Sequence, residues 1–250
     1  MGNNITKIKQ GNKNDVFNNN KDYPQKFENL NDEYNDRLIY QHFILKNILN
    51  GNLHFKKEDI NNIIEENNFS KTRTNILDIG CGTGVWCFDL MEEIKDGIDD
   101  NIYIYGTDIK KRYPYEIKPK NIEFGIMSTL DNIENSNLNF IKKDNFDLIY
   151  QRLMFLTFKN NEWEIAINNI YKLLKKEGLV EIVDTNFIIN YDINPSKNIE
   201  NINERWILYL KSCNININMI SKLDNILLKN YIEVEKKEIK IQIGDINNNI

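Results

Sequence analysis

The stretch that most constrains this chain is ILDIGCGTGVW, residues 76–86. A short apolar run ends there in Asp78 and opens into a turn that contains Gly80, Gly82 and Gly84. The pattern predicts a buried strand, a turn with little side-chain bulk, and a helix immediately after it. Glycine permits positive φ and lets a ligand approach the backbone closely. A ligand over such a turn also meets a helix N-terminus, where the helix dipole favours negative charge. The turn therefore predicts a binding site.

Strand and helix patterns alternate along most of the chain. Strands are predicted to begin at residue 76 and to cover residues 101–107, 121–126, 146–150 and 179–184. Helices are predicted over residues 30–49, 56–66, 85–94 and 160–176, and a pair of helices over residues 199–228. This order predicts a Rossmann-like α/β fold, with a doubly wound, mostly parallel sheet flanked by helices and an N-terminal helical extension.

The rest of the chain gives its expected organisation. Gly178 is predicted to follow a helix as a C′ glycine, residues 132–143 to form a polar loop, and residues 231–243 to form a last strand that leaves the sheet edge incomplete. Residues 1–25 are too polar to offset the entropy of ordering, which predicts a disordered tail. We expect a single domain over residues 26–250, made of N-terminal helices (30–66), a cofactor-binding core (75–184), and a helical and strand segment (198–243).

Composition narrows the class of protein. A chain of 250 residues with 41% hydrophobic content favours one large domain, and its net charge of -5 disfavours broad nucleic-acid binding. The basic run Lys110 to Lys120, which includes Tyr113 and Tyr115, is interpreted as a solvated loop rather than a nucleic-acid surface.

Cysteine usage predicts a reducing compartment. Cys81, Cys87 and Cys213 form no CxxC pair and have no metal-ligand spacing to a histidine, so we expect no metal. No apolar run has transmembrane length, and no secretory signal is present. An intracellular protein is expected, in the cytoplasm, with the nucleus as an open alternative.

The ligand of the turn is the next question. A dinucleotide fingerprint requires G-x-G-x-x-G, but Val85 and Trp86 stand where the third glycine belongs, which disfavours a nicotinamide cofactor. The string instead resembles the first motif of class I S-adenosylmethionine-dependent methyltransferases, in which an acidic residue precedes a GxGxG turn. Asp78, Gly80, Gly82 and Gly84 match that motif. The resemblance implies cofactor contacts there and at the neighbouring Cys81. Trp86 is expected to be either a core residue or a wall beside the cofactor.

A second anchor lies one strand further on. Asp108, in IYGTDI, follows an apolar strand 24 residues after Gly84. A carboxylate there can accept hydrogen bonds from both ribose hydroxyls of a nucleoside, with Ile109 beside it. After the third strand, where relatives place Asn or Asp for the adenine, this chain has Ser128 and Thr129, with Asp131 close by.

The resemblance extends over roughly residues 30–243 to the fungal methyltransferases related to the regulator of secondary metabolism. The matching segments include NDRLIYQHFILKNILNGN, TDI, IKPKNIEF, FDLIYQRLMFL and KKEGLVEIVD. The resemblance implies that Arg37, Gln41 and His42 lie near the cofactor, and that Tyr150, Gln151 and Arg152 lie where substrate and sulfonium meet.

Catalytic candidates are few. They are His42, Tyr150 and Arg152. His42 is either a base or a packing residue, and Arg152 is either an anion-binding or a surface residue. Cys81 is expected to be a small residue packed in the turn rather than a nucleophile.

The sequence therefore predicts S-adenosylmethionine-dependent methyl transfer to a small molecule or a protein by in-line displacement at the sulfonium methyl. Two alternatives stay open: a cofactor-binding regulatory or scaffold protein without turnover, and a nicotinamide-dependent dehydrogenase. Nothing favours a nucleic-acid amine as acceptor, no membrane partner is expected, and the oligomeric state is open.

Overall fold

The computed structural model describes residues 31–55, 57–95, 101–114, 116–190, 196–231 and 233–241. The described strands are β1 (Thr74–Ile79), β2 (Ile102–Asp108), β3 (Ile122–Ile126), β4 (Phe146–Arg152) and β5 (Leu174–Val183). They form one sheet in the order β3-β2-β1-β4-β5, and every pair of neighbours is parallel. The predicted Rossmann-like α/β fold is confirmed. The predicted tail, residues 1–25, lies outside the described residues.

Helices cover both faces of the sheet. They are α1 (Asn31–Leu49), α2 (Lys57–Phe69), α3 (Val85–Lys95), α4 (Glu162–Leu173), α5 (Lys197–Ser212) and α6 (Met219–Leu227). Ile64 of α2 and Leu90 of α3 are buried against one face of the sheet, and Ile167 and Ile170 of α4 are buried against the other. None of the helices in the described part of the chain is both long and apolar enough to cross a membrane.

Strand β1 is the centre of the sheet. All six of its residues are buried, because it has a parallel neighbour on each side and helices on both faces. The sequence of a strand that is buried on both faces is a nearly continuous apolar run, whereas a half-buried strand alternates apolar and polar residues. β2 lies on one side of β1 and β4 on the other, so the chain changes direction here. In open α/β sheets, ligands bind at this switch point, outside the carboxyl ends of the strands.

Helix α1 and the residues that follow it are joined to α3 chiefly through the carboxylate of Asp89. Oδ2 of Asp89 lies 3.1 Å from His42 Nε2, 2.6 Å from Lys46 Nζ and 2.7 Å from Asn52 Nδ2. A second connection joins His54, through its backbone N–H and Nδ1, to the carboxylate of Glu181 on β5. These polar contacts place α1 over the crevice at the carboxyl ends of β1 and β4.

The prediction for Gly178 is wrong. Helix α4 ends at Leu173, β5 begins at the next residue, and Gly178 lies within the strand. A Cβ on Gly178 would be 2.8 Å from Leu174 Cγ and 3.0 Å from the carbonyl oxygen of Asp147. The strand register also shifts between Phe146 and Leu148. The absence of a side chain at Gly178 lets β4 and β5 approach closely at this irregularity. In the sequence alone, such a glycine cannot be distinguished from one that ends a helix.

The segment predicted as a polar loop, residues 132–143, contributes to the core. A short 3-10 helix covers Ile133–Asn135, and Ile133, Phe140 and Ile141 are buried. Phe140 stacks on Tyr105 of β2, with ring centroids 4.8 Å apart. Widely spaced apolar residues among asparagines give no periodic signal, yet they close one end of the core.

The predicted last strand is wrong within the residues that are described. Residues 233–241 pair with no strand, and most of them are exposed. Alternation of apolar and polar residues is necessary for a half-buried strand but does not supply a hydrogen-bonding neighbour.

Candidate active site

The glycine turn has the backbone that its sequence predicts. Gly80, Gly82 and Gly84 have φ of 74°, 55° and 75°, in the left-handed region that favours glycine. Most N–H groups of the turn already have acceptors within the protein. Those of Gly80 and Cys81 donate to the carbonyl of Thr107 at 2.8 and 3.0 Å, and that of Gly84 donates to the carbonyl of Cys81 at 2.8 Å. The turn is therefore held rigidly by its own hydrogen bonds, and most of its N–H groups are not free to bind an anion.

Asp108 joins the turn to the end of β2. Its Oδ2 accepts the N–H of Gly82 at 2.9 Å, and its Oδ1 accepts the N–H of Lys110 at 2.9 Å. Burial raises the pKa of Asp108, while the two backbone N–H groups and nearby Arg112 oppose that rise. An ionised carboxylate has about four acceptor positions, so capacity remains for two hydroxyl groups of a ligand.

A cavity of about 260 Å³ opens above these two anchors. This volume is close to the lower end of ligand pockets, roughly 300 Å³. Most of the residues predicted to bind the cofactor line this cavity: Gly80, Cys81, Gly82, Asp108, Ile109, Ser128 and Thr129. Arg152 also lines it, as do Arg37 and Gln41 of α1. The structure thus brings together residues from five separate segments of the sequence.

Several predicted site residues lie behind the cavity wall rather than on it. These are Asp78, Gly84, Trp86, Tyr150, Gln151 and His42. Trp86 stacks on Tyr150, with ring centroids 4.2 Å apart, and its Nε1 donates to the carbonyl of Asn52 at 3.2 Å. A Cβ on Gly84 would be 2.6 Å from Phe124 Cζ. Trp86 and Gly84 therefore pack the core in this structure.

Gln151 is fully buried, and neither amide atom has a hydrogen-bond partner among the described residues. Tyr150 is also buried, which raises the pKa of its hydroxyl. Such a hydroxyl is a poor proton acceptor at neutral pH.

Asp78 lies directly beneath the turn. It is buried, and Cys87 Sγ donates to its Oδ2 at 3.6 Å. Burial raises the pKa of Asp78 to about 7, and the positive charge of Arg152 opposes that rise. Burial also raises the pKa of the Cys81 thiol well above its usual value, which agrees with a packing role rather than a nucleophilic one.

The loop after β3 is stiffened from within. The N–H of Ser128 donates to Oδ2 of Asp131 at 2.9 Å, and Nδ2 of Asn169 donates to the carbonyl of Thr129 at 2.7 Å. Asp131 itself does not line the cavity. Ser128 and Thr129 are therefore the polar side chains that this loop offers to a ligand.

Sequence reasoning missed Thr83. This residue lines the cavity and is 9% exposed, while its hydroxyl oxygen is buried and has no hydrogen-bond partner among the described residues. An unpaired buried hydroxyl costs free energy unless a ligand or water satisfies it. The position of Thr83 between two glycines of the motif was the available signal.

Sequence reasoning also missed the side wall that Tyr34 and Arg112 build. The Tyr34 ring lies between two guanidinium groups, 4.6 Å from Arg37 Cζ and 4.8 Å from Arg112 Cζ. Arg112 Nη1 is 3.7 Å from Asp108 Oδ1. Cation–π contacts of this kind join α1 to the end of β2. The contact between Tyr34 and Arg112 depends on tertiary proximity, so no local pattern could have revealed it.

Comparison with known proteins agrees with this geometry. Residues 76–178 match the profile of a family described as "Methyltransferase domain". That range begins in β1 and ends in β5, so it contains the glycine turn and Asp108. This segment of the chain is therefore similar to methyltransferase domains.

Three curated relatives show how far the likeness extends. The tRNA N(3)-methylcytidine methyltransferase trm140 of Schizosaccharomyces pombe is 28% identical over 42% of this chain and 34% of its own length. The secondary metabolism regulator LAE1 of Hypocrea atroviridis is 26% identical over 47% of this chain and 31% of its own. Methyltransferase grgD of a Penicillium species is 24% identical over 60% of this chain and 48% of its own. The matches thus span about a third to a half of the length of these relatives.

The match to LAE1 confirms the resemblance to fungal regulators of secondary metabolism. The matched family and relatives give no support to a dehydrogenase or to a scaffold without turnover. Within the described residues, no cluster of three or more His, Cys, Asp or Glu side chains is arranged to hold a metal ion.

Proposed function

We propose that this methyltransferase domain binds S-adenosylmethionine and transfers its methyl group to a small molecule or a protein. The single observation that carries the proposal is the position of Asp108. Its carboxylate lies at the carboxyl end of β2, bonded to the glycine turn at the end of β1, and faces the cavity. A carboxylate in that position suits the paired hydroxyls of a ribose.

The residues present fit this cofactor. Ser128 and Thr129 offer polar groups for an adenine edge, and Asp108 keeps acceptor capacity. When bound, S-adenosylmethionine supplies a methyl group already activated on a sulfonium. The protein's task is then to hold the acceptor in line and to exclude water.

No cavity residue is required to act as a strong base. Glu162 lines the cavity, but its Oε2 accepts the N–H of Lys159 at 2.8 Å. His42 lies behind Arg152, whose Nη2 donates to His42 Nδ1 at 3.1 Å. Alignment and desolvation are therefore the contributions that the described residues support best.

The acceptor is proposed to be a small molecule or a protein because the basic run offers little to a nucleic acid. Tyr113 is buried and stacks on Phe124, with ring centroids 4.7 Å apart. Its ring is therefore not available to stack on a base, which is one of the contacts by which proteins bind single-stranded nucleic acids.

Isothermal titration with S-adenosylmethionine and S-adenosylhomocysteine tests the proposed cofactor. We expect both to bind the folded protein, and binding of neither refutes the proposal. Tritiated methyl transfer into a cell extract, fractionated into small molecules, proteins and RNA, tests the acceptor class. Label in the RNA fraction alone contradicts the proposed acceptor.

A further inference from the structure

The strongest unexplained feature of the cavity wall is the guanidinium of Arg152. Among the described residues, no carboxylate lies within ion-pair distance of it. Arg112, on the same cavity, has Asp108 at 3.7 Å. A half-buried guanidinium that faces a cavity without a carboxylate partner is a candidate for binding an anion.

Arg152 is held from behind by a chain of two hydrogen bonds. Its Nη2 donates to Nδ1 of His42 at 3.1 Å, and Nε2 of the same imidazole lies 3.1 Å from Asp89 Oδ2. His42 is fully buried, and Asp89 is fixed further by Lys46 and Asn52. These contacts fix the orientation of the guanidinium relative to the cavity.

The chemistry of the two neighbours fixes the state of the imidazole. A guanidinium can only donate, so His42 Nδ1 must carry a lone pair. An ionised carboxylate can only accept, so Nε2 must carry the proton. His42 is thus a neutral imidazole whose two nitrogens are both engaged, and it has no free lone pair to act as a base on a ligand.

We propose that Arg152 binds a carboxylate of the bound ligand, and that His42, held by Asp89, is the positioning residue that aims the guanidinium into the cavity. This inference rests on the proposed function because the carboxylate belongs to a ligand of the methyl-transfer site. Two sources have the same chemistry: the amino-acid part of the cofactor and an acidic acceptor.

The first experiment needs no cofactor. Nitrogen-15 NMR of the imidazole of His42 in the full chain at pH 7 should show a neutral ring with the proton on Nε2. Arg152→Gln should shift the Nδ1 resonance most. A proton on Nδ1, or a charged ring at pH 7, overturns the proposed arrangement whether or not any cofactor binds.

The second experiment measures the carboxylate directly. Titration compares S-adenosylhomocysteine with the same thioether that lacks the carboxylate. If the cofactor is the source, the protein should prefer the carboxylate form by roughly tenfold or more, as expected for one charge-assisted hydrogen bond. Arg152→Gln should abolish that preference. Arg112→Gln is the matched control, because it removes a cavity guanidinium that already has a partner and should change both affinities by the same factor.

Equal affinities for the two thioethers assign the carboxylate to the acceptor. Protein saturated with S-adenosylhomocysteine should then bind benzoate in preference to benzamide by saturation-transfer NMR, and Arg152→Gln should lose that preference. Absence of discrimination in both pairs overturns the proposal. Failure of the unmodified protein to bind S-adenosylhomocysteine refutes the proposed function instead, and leaves the imidazole result standing.

The positioning role of His42 has its own variants. His42→Phe keeps a ring but neither nitrogen, so the preference for the carboxylate should fall to the level of Arg152→Gln. His42→Gln keeps an acceptor and a donor and should restore part of it. If His42→Phe does not fold, Asp89→Asn replaces it as the test, because it weakens the contact that orients the imidazole. Lys46→Gln, which removes another bond to Asp89, should leave the preference intact, and an equal loss in Lys46→Gln contradicts a specific role for His42.

Discussion

Gly82 and Gly84 belong to the same motif but should fail in different ways when mutated. An alanine in the left-handed region costs about 1–2 kcal/mol. At Gly84 the new Cβ would also be 2.6 Å from Phe124 Cζ, and this ring is wedged between Tyr113 and Phe88. Forcing extra bulk into a packed core lowers the unfolding free energy by about 1–3 kcal/mol more. Gly84→Ala should therefore lose about 2–5 kcal/mol of unfolding free energy.

At Gly82 the nearest atom to a new Cβ is Leu38 Cδ1 at 3.3 Å, the end of a flexible side chain. Gly82→Ala should lose only about 1–2 kcal/mol. For a chain of this size, 1 kcal/mol corresponds to roughly 2–4 °C in the melting temperature. Calorimetry should therefore show a drop of about 4–20 °C for Gly84→Ala and about 2–8 °C for Gly82→Ala.

Ligand binding should show the opposite order. Gly82 lines the cavity and Gly84 does not, so Gly82→Ala should lose more affinity for S-adenosylhomocysteine than Gly84→Ala. Phe124→Leu, added to Gly84→Ala, should recover part of the lost stability by making room for the new methyl group. Equal losses of stability in the two alanine variants, with no recovery in the double variant, refute the packing argument.

Three further predictions concern ionisable groups. Asp108→Ala should weaken S-adenosylhomocysteine binding by roughly 1–3 kcal/mol, and unchanged affinity in titration removes Asp108 from the site. Since the pKa of Asp78 is raised to about 7, the native state keeps a proton that the unfolded state loses near pH 4. Asp78 therefore lowers stability by about 4 kcal/mol as pH rises from 4 to 7, and Asp78→Asn should remove that slope in urea unfolding. Burial and Arg152 lower the pKa of His42, so its contribution is present above about pH 6.5 and is lost on acidification. His42→Gln should remove that dependence, and the same pH profile in the variant contradicts it.

The sheet and the main anchors of the site were predictable because they depend on local chemistry. A continuous apolar run predicts β1, and the three glycines predict the turn. The position of Asp108 directly after a strand predicts that it lies at the same edge of the sheet. All three follow from short-range rules of backbone geometry. Their meeting at one edge follows from parallel topology alone.

The rest depended on tertiary contacts. The sequence leaves Trp86 as either a core residue or a wall beside the cofactor, because closeness to the turn does not fix where a helical residue points. In the structure Trp86 stacks on Tyr150 in the core. Arg112 reaches the cavity through its contact with Tyr34, 78 residues earlier in the chain. Gly178 was misassigned because close approach of strands and a helix stop both select glycine.

Helix α1 lies entirely outside residues 76–178, the segment that matches the methyltransferase family profile. Even so, Tyr34, Arg37, Leu38 and Gln41 of this helix form one wall of the cavity. A protein trimmed to the boundaries of the family profile would keep the glycine turn and Asp108 but would lose this wall and expose both to solvent. Its ligand would then compete with bulk solvent for every hydrogen bond. The segment that the family profile matches supplies the floor of the cavity, α1 supplies a wall that lies outside that segment, and both are needed to enclose a ligand.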